Sequence, residues 1–204
     1  MIFSLIKSRF LYYKPRFWGV LAIFCLLFSA LFLQSCKNET LPKPKAELAL
    51  SYPAPAYKEY RLGDCPYDFN INQIVKVHTK DGCSAVMEYP GMNAALYLTY
   101  RNVNGDINKL LTDAQKLTYE HVIKADNIFE EKYVNEKHNV YGMFYDISGN
   151  AASQSQFYVT DSVQHFLTGS IYFNVRPNYD SILPAADYLK KDIRYLMETI
   201  TWKK

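Results

Sequence analysis

Four cysteines and four histidines are the side chains best able to do chemistry here, and their spacing decides what kind. Cys36 closes the stretch Leu33-Gln34-Ser35-Cys36, directly after an apolar run. A thiol in that position, with a small residue before it, is placed for acylation. A signal peptidase of the lipoprotein class cuts ahead of such a Cys once its sulfur carries diacylglycerol. Cys25 falls inside the apolar run and is discarded with it. Cys65 and Cys83 remain, and two leftover thiols in an exported chain are expected to pair. That bridge would close a loop of about 19 residues and stabilise by roughly 3 kcal/mol on the chain-entropy account. A metal pair or a redox couple is the alternative. A zinc site needs three or four ligands, and no Cys-x-x-Cys occurs.

His78, His121, His138 and His165 are scattered, and none has another His or Cys at ligand spacing. His121 lies on the apolar side of an expected helix, where a hydrogen-bonded core histidine is the plain reading. Ser153, His165 and Asp161 could be drawn into a nucleophile–base–acid set. In a chain with so many Ser and Asp, that availability is no signal. There is no Gly-x-Ser-x-Gly elbow, His-Glu-x-x-His, P-loop or dinucleotide fingerprint. Glu130 and Glu131 would face opposite sides of a strand, which does not suit shared acid–base work. No catalytic residue, metal or cofactor is therefore expected. One stretch differs in texture: Tyr145 to Gln154, small and hydrogen-bonding residues between two aromatic strands. The plain reading is a hairpin loop shaped by Gly149 and Asn150. The sharper one is a partner-binding loop built on Asp146, Gly149, Asn150 and Ser153.

The elements that must position these groups follow from periodicity. Alternating patterns predict strands at Gln73–Thr79 and Ala95–Arg101. From Asp106, a plausible N-cap, the period becomes helical: Ile107, Leu110, Leu111, Ala114, Leu117 and Val122 share a face to about Asp126. Strands are expected at Ile128–Asn135, Asn139–Ser148, Gln154–Thr160 and His165–Val175, the last ended by Pro177. A second helix begins near Asp180 or Ser181 with Pro184 in its first turn. Its stripe is Ala185, Ala186, Leu189, Ile193, Leu196, Met197 and Ile200, and Trp202 is expected to tuck back onto the core. The order predicts an α+β fold: a mostly antiparallel β-sheet flanked by two helices, an α/β/α sandwich. That architecture resembles the PsbP and Mog1 group, a likeness that carries no function.

The N-terminus reads as an address. Lys7, Arg9, Lys14 and Arg16 precede Cys36 and no acid does, and Phe17 to Leu33 are almost wholly apolar. Residues 1–35 are thus expected to be a lipoprotein signal peptide. A plain membrane-spanning anchor is the alternative. As a helix the apolar run would reach roughly 25 Å at about 1.5 Å per residue, short of a bilayer core of roughly 30 Å. Residues 36–58, with Pro42, Pro44, Pro53 and Pro55, are expected to be a lipid-anchored, Pro-rich tether. Residues 59–204 remain for a single globular domain, enough chain for one sizeable core. The 18 Tyr of the chain argue for packing over disorder.

The formal charge of +3 belongs to the leader. Without its four basic residues, 19 basic and 20 acidic side chains remain, a net of −1. Such a domain has no electrostatic reason to seek nucleic acid. Lys190, Lys191 and Arg194 alternate with Asp187, Asp192 and Glu198, which reads as a solvated helix face.

The chain also resembles the gliding motility lipoprotein GldD family. The likeness rests on Asp64-Cys65-Pro66-Tyr67, Cys83, Leu110-Leu111, Lys116-Leu117 and Lys124-Ala125-Asp126. It continues through Tyr141-Gly142, Tyr145-Asp146, Gly149 to Ser153, Gln156-Phe157-Tyr158, Thr160-Asp161-Ser162, His165-Phe166-Leu167, Tyr172-Phe173-Asn174 and Lys191-Asp192-Ile193, as far as Trp202. The resemblance implies a cell-envelope lipoprotein needed for gliding over surfaces, in machinery bound up with type IX secretion. It implies no enzymatic activity, no small-molecule substrate, and partners among the other envelope proteins of that machinery. The expected location is a membrane of the envelope, facing the periplasm. Lys37 after Cys36, where Asp would retain a lipoprotein at the inner membrane, tips the expectation to the outer one. A periplasmic module binding peptide, glycan or lipid is the competing reading, and a hydrolase the third.

Overall fold

The structure, a computed structural model, describes residues 50–120, 122–175 and 178–203, together with Gly19, Val20, Ile23 and Phe24. Packing divides the chain into one unit at Met1–Lys45 and another at Ala46–Lys204. In the first, the four described residues are helical and exposed. The rest of residues 1–35, Cys36, and the tether as far as residue 49 lie outside the described residues, as do His121 and Pro177.

In the second unit, apolar alternation makes the strands. β1 (Tyr57–Arg61), β2 (Tyr67–Asn72), β3 (Lys76–Lys80), β4 (Ser84–Tyr89) and β5 (Ala94–Asn102) come first. Helix α1 (Ile107–Tyr119) follows, then β6 (Ala125–Asn135), β7 (Val140–Gly149), β8 (Ser155–Thr160), β9 (His165–Phe173), helix α2 (Tyr179–Glu198) and a short β10 (Thr201–Trp202). Seven strands form one sheet in the order β3-β4-β5-β9-β8-β7-β6, and β1-β2-β10 form a second. Every pairing is antiparallel.

The large sheet is covered differently on its two faces. On one, Leu96, Leu98, Phe144, Phe157, Val159, Leu167 and Ile171 meet Leu189, Ile193, Leu196 and Met197 of α2 and Tyr67, Phe69 and Ile71 of β2. On the other, Tyr145, Ile147, Tyr158 and Phe166 meet Ile107, Leu110, Leu111 and Ala114 of α1. β8 lies between the helices and is buried at every residue. Gly169 is needed there: a Cβ on it would come within 2.2 Å of the Phe157 ring on the neighbouring strand.

The fold is the expected α+β class with mostly antiparallel strands and two helices. The differences are local. β1 begins at Tyr57, two residues inside the stretch expected as tether, and Tyr52 already packs on Tyr188 at 5.4 Å between ring centroids. Helix α1 stops at Tyr119, because Ala125 must already pair with Gly149. That leaves Val122 and Ile123 exposed in the turn. Helix α2 starts at Tyr179, so Pro184 lies inside it and not in its first turn. The Lys190–Arg194 region is not a solvated face: Asp192 is 4% exposed, and Lys190 and Arg194 reach across to the sheet.

Candidate functional site

Cys65 follows the β1–β2 turn, where its N–H donates to the Leu62 carbonyl at 3.1 Å. Cys83 sits in the β3–β4 turn with φ +60°, beside Gly82 at φ +66°. The two are joined as a disulfide with Cα atoms 5.4 Å apart. Tyr67 OH donates to the Cys83 carbonyl at 2.7 Å. The bond thus links the small sheet to an edge hairpin of the large one.

The Tyr145–Gln154 stretch is turned inward. Asp146 lies on the α2 side of β7 and pairs with Lys190 at 3.1 Å. Gly149 ends β7 with φ +97°, and a Cβ there would lie 2.5 Å from the Asp126 backbone nitrogen. Only glycine allows both that angle and that approach. Asn150 Oδ1 accepts from the Tyr179 N–H at 2.9 Å and so fastens the loop to the start of α2. Ser153 is fully buried, and its hydroxyl donates to the Ser155 carbonyl at 3.3 Å. Gln154 donates to the Ala151 carbonyl at 2.8 Å. What this loop offers to solvent is Asn150 and Ala152.

The imagined triad is not assembled. His165 Nδ1 meets the Tyr100 hydroxyl at 2.7 Å, and its ring stacks on Trp202 at 5.0 Å. Asp161 Oδ1 accepts the backbone N–H groups of Val163, Gln164 and His165 at 2.8–3.0 Å. Burial pushes the Asp161 pKa up, but these three bonds outweigh it and hold the carboxyl below its usual range. Its role is to shape a turn. Glu130 and Glu131 do face opposite sides: Glu130 accepts from Tyr119 of α1, and Glu131 from Arg194 of α2. Among the described residues no three His, Cys, Asp or Glu side chains gather as a metal site. No described helix is long and apolar enough to cross a membrane.

Sequence reasoning missed the most elaborate polar cluster. Asp192 Oδ1 accepts from Asn72 Nδ2 at 2.9 Å, and Oδ2 accepts from Tyr89 OH at 2.7 Å. Asn72 also donates to Tyr188 OH at 2.9 Å. Burial and then Asp192 raise the Tyr89 pKa well above the usual phenol value, and raise that of Tyr57 for the same two reasons. A shallow cavity of about 400 Å³ opens beside it between Pro55, Tyr57, Tyr188 and Lys191. The cluster ties β1, β2 and β4 to α2. A larger groove of about 710 Å³ runs between α1 and the open part of the sheet, lined by Thr99, Arg101, Lys109, Leu110, Leu117 and Phe166 among others. Neither lining includes a Ser, Cys or His side chain.

The disulfide and the polar ties between sheet and helix are the geometry on view, and comparison with known proteins supplies the context. The sequence profile of the family described as "Gliding motility lipoprotein GldD" matches residues 37–202. The chain belongs to that family. Its match takes in the disulfide, the Asp192 cluster and both helices. Among curated proteins no match is found. Among solved structures, the solution structure of cyanobacterial PsbP from Synechocystis is similar at 9% identity, with a TM-score of 0.46, over 74% of this chain and 94% of that one. As a GldD-family member the chain is a lipoprotein of gliding motility.

Proposed function

We propose that this GldD-family lipoprotein is a non-enzymatic assembly or interaction component of the gliding machinery linked to type IX secretion. It is held to an envelope membrane by acyl chains such as palmitate on Cys36 and faces the periplasm, at the outer membrane. The observation that carries the reading is the family match over residues 37–202. Lys37 is the first matched residue, and Cys36 lies just before it. The inward-turned hydrogen bonds of the described domain support a scaffold role, because buried polar groups that satisfy one another stiffen a fold without exposing reactive atoms. Partners are other envelope proteins of the machinery, which meet the surface that includes Asn150. Several acyl chains make such anchoring stable where one would be marginal.

The test is genetic and chemical. Deleting the gene abolishes spreading, and the wild-type copy restores it. Cys36→Ala fails to restore it and loses labelling by a palmitate analogue. Normal spreading without the gene, or a labelled and functional Cys36→Ala, sinks the proposal. The α1 groove favours a second reading, a module for peptide, glycan or lipid. Leu110→Trp would fill that groove. Gliding lost in a stable Leu110→Trp protein selects the ligand reading, and gliding retained selects the interaction reading.

A further inference from the structure

β6 is an edge of the large sheet: it pairs with β7 and ends the strand order. At 11 residues it is a long edge carrying exposed apolar side chains, with Phe129 59% and Val134 46% exposed, the kind of edge that invites pairing. Its sequence is chemically symmetric. From Asn127 to Asn135 it reads amide, β-branched, aromatic, charge, Glu131, opposite charge, aromatic, β-branched, amide. The residues are Asn127, Ile128, Phe129, Glu130 on one side of the centre and Lys132, Tyr133, Val134, Asn135 on the other.

We infer that β6 pairs antiparallel with β6 of a second copy of this chain about a twofold axis through Glu131. In that register Glu130 faces Lys132 of the other copy, Phe129 faces Tyr133, Ile128 faces Val134 and Asn127 faces Asn135, each pair occurring twice. Directly opposed side chains in an antiparallel pair lie about 5 Å apart, close enough for each of these matches to count. Such an axis stands normal to the sheet, so only shifts by two residues compete. Moving the centre to Lys132 sets Lys132 on itself, Glu131 against Tyr133 and Phe129 against Asn135. Moving it to Glu130 sets Glu130 on itself and Phe129 against Glu131. The favoured register also brings Glu131 to its own copy, but each Glu131 is already bonded by Arg194 on the same face. That guanidinium holds the Glu131 carboxyl charged and neutralises it at the axis.

Charges on an edge commonly discourage pairing. Here they discourage the wrong registers and match in one, which is how an interface selects its partner and its alignment. The product is one continuous sheet through two copies. This inference does not rest on the proposed function.

The experiment uses the full chain in the cell envelope. Copies carrying Asn127→Cys link oxidatively to copies carrying Asn135→Cys, neither links to itself, and Thr79→Cys in β3, at the other edge, gives no dimer. Glu130→Lys and Lys132→Glu each lower co-purification of two differently tagged copies by about tenfold, because each sets like charges opposite one another. The double variant Glu130→Lys with Lys132→Glu restores it to within about twofold, since the swapped charges face each other again. Cysteine at position 127 or 135 linking instead to another protein overturns the inference. So does a double variant no better than the singles.

Discussion

The two helices of this domain are built to the same plan and end with different fates. Each carries one apolar stripe, and neither N-cap residue, Asp106 or Asn178, makes a side-chain capping bond, although Asn150 from the neighbouring loop accepts the Tyr179 N–H at the start of α2. Yet α2 buries eight of its residues, among them Leu189 and Ile193 at 0% exposure, while α1 buries only Thr118. The difference lies in what each helix meets. Beneath α2 are the inward side chains of the large sheet, with β2 beside it. The stripe of α1 meets the smaller cluster around Tyr145, Tyr158 and Phe166 and leaves a groove at its side. Amphipathic pattern announces a face; the partner surface decides how much of it leaves water.

That contrast yields its largest test in paired truncations. Leu189→Ala removes a side chain from a closed core and should cost about 3–4 kcal/mol by the usual transfer and cavity terms. Leu110→Ala on α1 starts half-buried beside a groove that can relax or fill with water, and should cost about 1 kcal/mol. Urea unfolding of the purified protein, read as a shift in midpoint at unchanged slope, measures both. Equal costs would mean that α1 is as firmly seated as α2, and the contrast would be lost.

The second effect concerns what holds the small sheet where it is. Cys65 precedes β2, and Cys83 lies in the β3–β4 turn, so the bridge closes the chain between the two sheets. Replacing both cysteines with serine should cost about 3 kcal/mol, mostly through a freer unfolded chain. A reductant added to the wild-type protein should reproduce that loss in urea unfolding and leave the double serine variant unchanged. An equal response in both would place the reductant's effect outside this bond.

Third comes the buried carboxylate of α2. Asp192→Ala strands the Tyr89 hydroxyl and removes one acceptor from Asn72, for about 2 kcal/mol. Adding Tyr89→Phe should return part of that loss, since the orphaned hydroxyl goes with it. A double-mutant cycle reads the coupling. Additive losses would show that the two groups act separately, whatever their distance.

What could be read from the chain follows the same division. The strands from β6 to β9 and both helix stripes were legible because alternation and helical spacing persist over whole elements. β2 carries the same signal over fewer residues: Tyr67, Phe69 and Ile71 alternate with Asp68, Asn70 and Asn72. β10, at two residues, is too short to show a period, and β1 is mostly exposed, so its pattern of Tyr and charge does not announce a buried face. Asp192 defeated the reading for another reason. Among alternating charges it looks solvated, and only the fold brings Tyr89 and Asn72, distant in the chain, against it. The loop from Tyr145 to Gln154 was visible by composition, but composition does not tell whether its polar groups face a partner or one another.

The smallest effect is the most diagnostic of the helix comparison. Asp106 stands at the N-cap position of α1, as its residue type suggested, but its side chain makes no capping hydrogen bond. Its backbone carbonyl accepts from the Leu110 N–H at 3.2 Å, and alanine would keep that bond. Losing a working cap commonly costs about 1 kcal/mol, so Asp106→Ala should stay within about 0.5 kcal/mol, the range of a plain surface change. Asn178→Ala at the start of α2, likewise without a side-chain cap, should do the same. If both are silent, neither N-cap side chain supports its helix, and what separates the two is burial together with the Asn150 bond to the Tyr179 N–H of α2. A cost of 1 kcal/mol or more at Asp106 alone would mean that α1 is held by its end and not by its face, and the account of the two helices would have to be rebuilt from the caps.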